Sequence, residues 1–181
     1  MNKFSSYEQV VGFHGHSCPG LAMGYRLTVA ALDHLNVSPA EDEELTVIVE
    51  NDACGTDAVQ YVSGCTFGKG NFIFKDLGKM AYSFFNRKTE SAIRVLRKNS
   101  FRNELDKMDL NRAEKIEYIL QCPESILVEF LPVEHEIPDK AELYENDICA
   151  VCGESVMKPR MIKTNKGALC ISCAGENEIN D

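Results

Sequence analysis

The chain has 181 residues, 44% hydrophobic and 26% charged, with a formal net charge of −9. That length gives one good core with room for a small satellite, and the composition excludes a disordered chain. The acidic balance disfavours non-specific nucleic-acid binding, which needs clustered Lys and Arg against phosphate, and an anionic membrane surface as partner.

No apolar run approaches the roughly 20 residues that span a bilayer. The start, Met1 to Glu8, lacks the apolar stretch of an export signal, so a cytoplasmic protein is expected. In a reducing compartment the eight cysteines read as metal ligands or reactive thiols before disulfides, with one or two as buried small hydrophobes.

In chain order, Pro19 to Leu35 reads as a helix, with Pro19 at its first position and Leu21, Tyr25, Thr28, Leu32 and Leu35 on one face. Leu45 to Glu50 is a β-branched run and reads as a buried strand, followed by a short helix over Gly55 to Gly64. Asn71 to Lys75 and Met80 to Arg87 read as two strands joined by a tight turn at Asp76-Leu77-Gly78. Thr89 to Lys98 and Asp109 to Gln121 read as helices, with Thr89 and Asp109 as N-caps; Asn111 with Glu114 offers an alternative start. Ser125 to Val133 reads as a last strand. Helices and strands mix without strict alternation, which predicts an α+β core with a mixed or antiparallel sheet.

From Glu134 to Asp147 the composition turns acidic around a proline. The expected organisation is a core over residues 1–135, a linker over 136–147 and a small module over 148–181; a surface loop within one domain is the alternative. The module reads Cys149-Ala-Val-Cys152 and Cys170-Ile-Ser-Cys173 with 17 residues between the pairs. Two such pairs at this separation are a zinc signature, because two tight knuckles aim four sulfurs at one tetrahedral ion. Gly153 supplies the torsions a knuckle needs, and the second pair is placed to open a C-terminal helix, as in a treble clef. Two redox dithiols or an iron–sulfur cluster are the competing readings. Lys158, Arg160, Lys163 and Lys166 stand between the knuckles against six acidic residues from Tyr144 onward, so nucleic acid is an unfavoured partner and a solvated hairpin the simpler account.

The core has its own ligand-type residues. In an extended chain His14, His16 and Cys18 alternate onto one side and form a metal half-site, with Cys18 favoured as thiolate ahead of a helix. The loop Asn51 to Asp57 leaves a strand for a helix and offers Cys54, with Asp52 and Asp57 beside it; simple N-capping is the rival reading for Asp57. Cys65 and Lys69 lie in a glycine-rich stretch, Gly64 to Gly70, that would otherwise be a flexible turn. His34, His135 and Cys122 have no partner at useful spacing and read as structural or surface residues.

The strings FHGHSCPGLAMGYR and NDACGTDAVQYVSGCTFGKGN resemble the E-subunit family of formylmethanofuran dehydrogenase, over about Tyr7 to about Val133. The resemblance implies a core related in fold to the catalytic domain of glyceraldehyde-3-phosphate dehydrogenase, a C-terminal treble-clef zinc finger, and a homodimer. It also implies a cleft with a metal, and carries His14, His16, Cys18, Cys54, Asp57, Cys65 and Lys69 as matching positions. The named complex reduces carbon dioxide with a molybdenum or tungsten pterin and iron–sulfur clusters on other subunits. This chain has no ferredoxin-type cysteine run, so it is not expected to perform that step alone.

Three roles follow. The first is a metal-binding accessory subunit or metal-handling factor beside a molybdenum or tungsten oxidoreductase, with structural Zn²⁺ in the tail and Zn²⁺ or Ni²⁺ at His14, His16, Cys18, Cys54 and Cys65. The second is a self-sufficient enzyme, with Cys54, Asp57 and Lys69 as catalytic candidates, the core metal activating water or a thiol, or Cys54 or Cys18 a nucleophile with His16 as base. The third is a regulatory zinc-finger interaction module.

Overall fold

A computed structural model describes residues 3–133, 136–165 and 167–178; His135 and Lys166 lie outside them. The chain divides into two compact units, Met1–Ala141 and Glu142–Asp181.

The first unit begins with two consecutive helices, α1 (Tyr7–His14) and α2 (Pro19–His34). A capping box between Ser6 and Gln9 starts α1, and Pro19 occupies the first turn of α2, where its missing N–H costs nothing. Strand β1 (Leu45–Val49) is buried at every position and leads into α3 (Gly55–Ser63) and then β2 (Phe72–Phe74), which runs parallel to β1. Strands β3 (Ala81–Asn86), β4 (Ser91–Arg97) and β5 (Val128–Leu131) complete a mixed five-stranded sheet in the order β2-β1-β3-β4-β5. Between β4 and β5 come α4 (Asn99–Lys107), α5 (Arg112–Gln121) and the single turn α6 (Glu124–Leu127). The α+β architecture with a mixed sheet is the one expected.

Three local expectations are corrected. Residues 71–75 and 80–87 do not form a hairpin, because β1 lies between β2 and β3 and pairs with both. A central strand buried at every position needs partners on both edges, and the loop after β2 wraps its end: Leu77 and Lys79 both donate to Glu50 O. Residues 91–97 are strand rather than helix. The β-branched Ile93 and Val95 alternate into the core, and that period of two prevails over helical propensity. The third concerns the last helix: it starts from Asn111, whose side chain accepts from Ala113 N and Glu114 N while Glu114 reaches back to Asn111 N, and not from Asp109.

The core lies between the sheet and α2, lined by Leu21, Leu27, Val47, Tyr82, Phe84 and Val95. Helices α2 and α3 meet at two glycines. A Cβ on Gly24 would fall 2.3 Å from Gly55 O, so the backbones touch where any side chain would separate them. That close crossing sets the spacing of the two helix N-termini.

The second unit holds two short antiparallel pairs, β6 (Asn146–Ile148) with β7 (Ser155–Met157) and β8 (Met161–Thr164) with β9 (Gly167–Cys170). Helix α7 (Ile171–Glu178) follows. Among the described residues its buried apolar cluster is Cys149, Leu169, Cys173 and Ala174, too little to order 40 residues by burial alone.

Candidate metal centres

In the first unit the last turn of α1 delivers His14. Gly15 then takes a left-handed conformation (φ 91°) and its N–H closes the helix on Val11 O at 2.8 Å. The reversal brings His16 back beside His14, with ring centroids 4.5 Å apart. Cys18 caps α2, its Sγ accepting from Leu21 N at 3.3 Å. His14, His16 and Cys18 therefore converge through a helix end, a turn and a helix start, not through an extended segment. Cys54 joins them from the N-cap of α3. One ligand atom from each of His14, His16, Cys18 and Cys54 lies within 4.8 Å of the others. Gly20 adjoins the group: a Cβ there would lie in ordinary contact, 3.5 Å from Cys54 Cβ and 4.0 Å from Cys18 Sγ.

Asp57, in the first turn of α3, meets His14 Nδ1 at 2.6 Å. A carboxylate accepts, so Nδ1–H donates, and in the neutral ring that leaves the lone pair on Nε2. That Nε2 is buried and has no hydrogen-bond partner among the described residues. A buried acceptor left unmatched is costly, and a cation held with the neighbouring imidazole and two sulfurs is what this atom is arranged to meet. Desolvation and a hydrogen bond with Cys18 hold the Cys54 thiol above its ordinary range. His16 is exposed, so the group opens to solvent on that side. Two imidazole nitrogens and two sulfurs suit a divalent ion of the zinc type.

Cys65 and Lys69 stand apart from this group. Cys65 is fully buried and its thiol donates to Leu45 O at 3.4 Å; burial pushes that thiol up to about 12. Lys69 Nζ donates to Ala40 O and Glu41 O, each at 3.3 Å, and fastens the loop ahead of β1. Both side chains are occupied in holding backbone. Cys122 is buried and donates to Ile119 O, and His34 stacks on Phe130. Asp52 is exposed on the loop between β1 and α3. The helical packing role of Gly24 and Gly55 escapes a reading by motif, although a glycine inside a helical pattern is itself a signal of close approach.

In the second unit, Cys149, Cys152, Cys170 and Cys173 also place their sulfurs within 4.8 Å of one another. The knuckle closes as its glycine allows: Gly153 has φ 74°, and its N–H donates to Cys149 O at 3.0 Å. Cys149 Sγ accepts from Cys170 N at 3.3 Å, and Cys170 Sγ accepts from Cys173 N at 3.4 Å. Backbone N–H groups of Cys152, Cys170 and Val151 lower the Cys149 thiol to about 6, so it is poised as thiolate. A hydrogen bond with Cys170, then desolvation, push Cys173 up to about 12. A knuckle, a hairpin and a second pair that straddles the start of α7, Cys170 ending β9 and Cys173 on the helix, fit a zinc finger.

A family model described as FmdE, molybdenum formylmethanofuran dehydrogenase operon, matches residues 13–129. The chain belongs to the FmdE family. The matched span holds the whole His14, His16, Cys18 and Cys54 group, and the tail cysteines lie beyond it. The crystal structure of a tungsten formylmethanofuran dehydrogenase FmdE-like protein from Syntrophus aciditrophicus aligns with a TM-score of 0.69 at 25% identity, covering 95% of this chain and 94% of that one. A probable S-adenosyl-L-methionine-binding protein of Archaeoglobus fulgidus is 33% identical over 191 residues, covering 90% of this chain. The FmdE-family chain spans about half the length (50%) of that curated relative. Among the described residues no helix is long and apolar enough to cross a membrane.

Proposed function

We propose that this FmdE-family protein is a metal-binding accessory or metal-handling protein that works beside a molybdenum or tungsten oxidoreductase. In this reading His14, His16, Cys18 and Cys54 hold a divalent ion, Zn²⁺ or Ni²⁺, and Cys149, Cys152, Cys170 and Cys173 hold a structural Zn²⁺. The observation that carries it is His14: Asp57 fixes one ring nitrogen and the other is buried, unpartnered and close to three further ligand atoms. A bound ion would supply Lewis acidity at the His16 side, where the group is open. The chain's own residues supply the rest: Asp57 orients the ring, and the crossing of α2 and α3 at Gly24 and Gly55 sets the distance between Cys18 and Cys54.

A homodimer and oxidoreductase subunits are the partners this reading names, checked by sedimentation of the pure chain and by co-purification. Elemental analysis tests the metal claim. Two equivalents per chain are expected, falling to one when the four tail cysteines become serine and to one when Cys54→Ser and His16→Ala are made with the tail intact. A single equivalent, lost entirely with the tail cysteines, removes the core centre from the reading.

A self-sufficient enzyme is the second reading, favoured by the exposed flank at His16. The raised Cys54 thiol speaks against a free cysteine nucleophile, so in this reading too the chemistry belongs to the metal. Slow, uniform alkylation of Cys18 and Cys54 near neutral pH is the expected result; fast selective labelling of either would reverse that preference.

A further inference from the structure

Despite the net charge of −9, cationic side chains gather at one place. A cleft of about 590 Å³ opens where the loop after β1, the start of β3, the end of β4 and the first turns of α4 meet. Four basic residues line it: Lys79, Arg94, Arg97 and Arg102. Two are already engaged. Glu50 takes Arg94 through paired contacts of 2.7 and 2.8 Å, and Asp106, which also lines the cleft, sits 3.7 Å from Arg102.

Lys79 and Arg97 have no carboxylate within ion-pair distance among the described residues. The Arg97 Nε is buried with no hydrogen-bond partner among the described residues. Burial, and then the charge of Arg102, pull the Arg97 guanidinium below its usual range, and Asp106 offsets only part of that. Holding like charges together around a desolvated donor costs stability, and such a cost is carried where a ligand of opposite charge relieves it. Asn51 braces the site, donating to Lys79 O at 2.6 Å and accepting from Ala53 N at 3.1 Å. Helix α4 begins on the cleft with Asn99 and has no side-chain cap, so its first N–H groups add to the positive end.

We propose that this cleft binds the oxyanion group, carboxylate or phosphate, of a small molecule through Lys79 and Arg97. Arg97 is suited to grip two oxygens at once, and Lys79 supplies a mobile point charge. Asp106 and Glu50 at the margins keep Arg102 and Arg94 from drawing the anion away. Ala53 lines the cleft and adjoins Cys54 in the chain. A ligand anchored by its anionic end would therefore sit at the approach to the core centre, a clause that rests on the metal reading above.

Calorimetric titration of the full-length protein tests this, with inorganic phosphate and malonate as probes at constant ionic strength set with sodium chloride. Binding of at least one probe is expected, and which one identifies the oxyanion class. Arg97→Gln and Lys79→Gln should each weaken it about 10- to 100-fold, the usual effect of losing a charge-assisted hydrogen bond. Lys88→Gln, on the β3–β4 turn, should leave it unchanged. Arg97→Gln should also melt higher than the parent when no anion is present, because a desolvated charge beside Arg102 is gone; a variant that fails to fold is thereby told apart from one that fails to bind. Absence of binding of both probes to the parent, or undiminished binding by Arg97→Gln, overturns the site. The metal content of Arg97→Gln should equal the parent's; missing core metal in the parent itself would count against the metal reading and leave the anion result standing.

Discussion

Asp57 exposes 37% of its side chain yet holds the His14 ring at 2.6 Å. Its own interaction with solvent is therefore partly retained, and its main effect is on the imidazole, whose orientation and proton position it sets. An Asp57→Asn variant keeps the shape but turns an acceptor-only group into one that can donate, and Asp57→Ala removes it. Metal affinity of the core centre should fall about 10- to 100-fold in either, measured by competition with a chelating dye while the tail equivalent stays bound. An unchanged affinity would leave Asp57 as an acidic first-turn residue of α3 and nothing more. Cys65 gives the opposite expectation. Its thiol is spent on Leu45 O and lies outside the ligand group, so Cys65→Ala should keep every metal equivalent and cost about 1 kcal/mol of stability through the small void it leaves. Loss of an equivalent in that variant would return Cys65 to the site.

At the scale of elements, the crossing of α2 and α3 connects packing to the site. Gly24→Ala would drive a methyl to 2.3 Å from Gly55 O and 2.4 Å from Gly55 Cα, and both obstacles are backbone. The helices must part, at a cost of about 3 kcal/mol, and Cys18 and Cys54 part with them. Urea unfolding should show a lower midpoint with an unchanged slope, and the core centre should bind metal more weakly than in the parent. A midpoint shift without a change in metal binding would show that the crossing and the ligand spacing are independent. Elements whose signals are local were legible in the sequence: Pro19 at the start of α2, the β-branched run of β1, the Asn111 and Glu114 pair ahead of α5, and Gly153 in the knuckle. What could not be read depends on distant partners. Ser91 to Arg97 carries Arg, Leu and Ala at spacings a helix tolerates, and only pairing with β3 and β5 selects the strand. The hairpin expected from the turn at residues 76–78 fails because β1, from well before it in the chain, inserts between its arms. The alternate spacing of His14, His16 and Cys18 marks them as ligand types but implies an extended backbone in place of the helix end, turn and helix start that carry them, since α1 offers little periodic signal. Arg97 stayed invisible because an unpartnered buried nitrogen has no trace in the sequence.

At the scale of the whole chain, the two units draw on different sources of stability. The first buries a broad cluster that includes Leu27, Tyr82, Phe84 and Phe101, which sustains a fold without help from an ion. Among the described residues the second buries Leu169 and Ala174 beside Cys149 and Cys173, so a bound metal would supply most of its folding free energy. A strong chelator should therefore abolish hydrogen-exchange protection of the Ala150, Gly153 and Cys170 amides, which close the knuckle and its hairpin, while amides of β1 and β3 stay protected. Acid should reach the same end state by another route. Before metal binds, the Cys149 thiol has a folded pKa of about 6, below the ordinary 9.0. A depressed pKa stabilises the fold in full above pH 9, contributes less as pH falls, and contributes nothing once pH drops below about 6, where the thiolate is protonated in both states. A metal also competes with protons for that sulfur, so release of the tail ion should steepen as pH falls through about 6. Metal-specific X-ray fluorescence after dialysis from pH 8 down to pH 5 reads this directly. Retention of the tail ion at pH 5, or tail amides that remain protected in chelator, would mean that these 40 residues fold on contacts other than the four sulfurs.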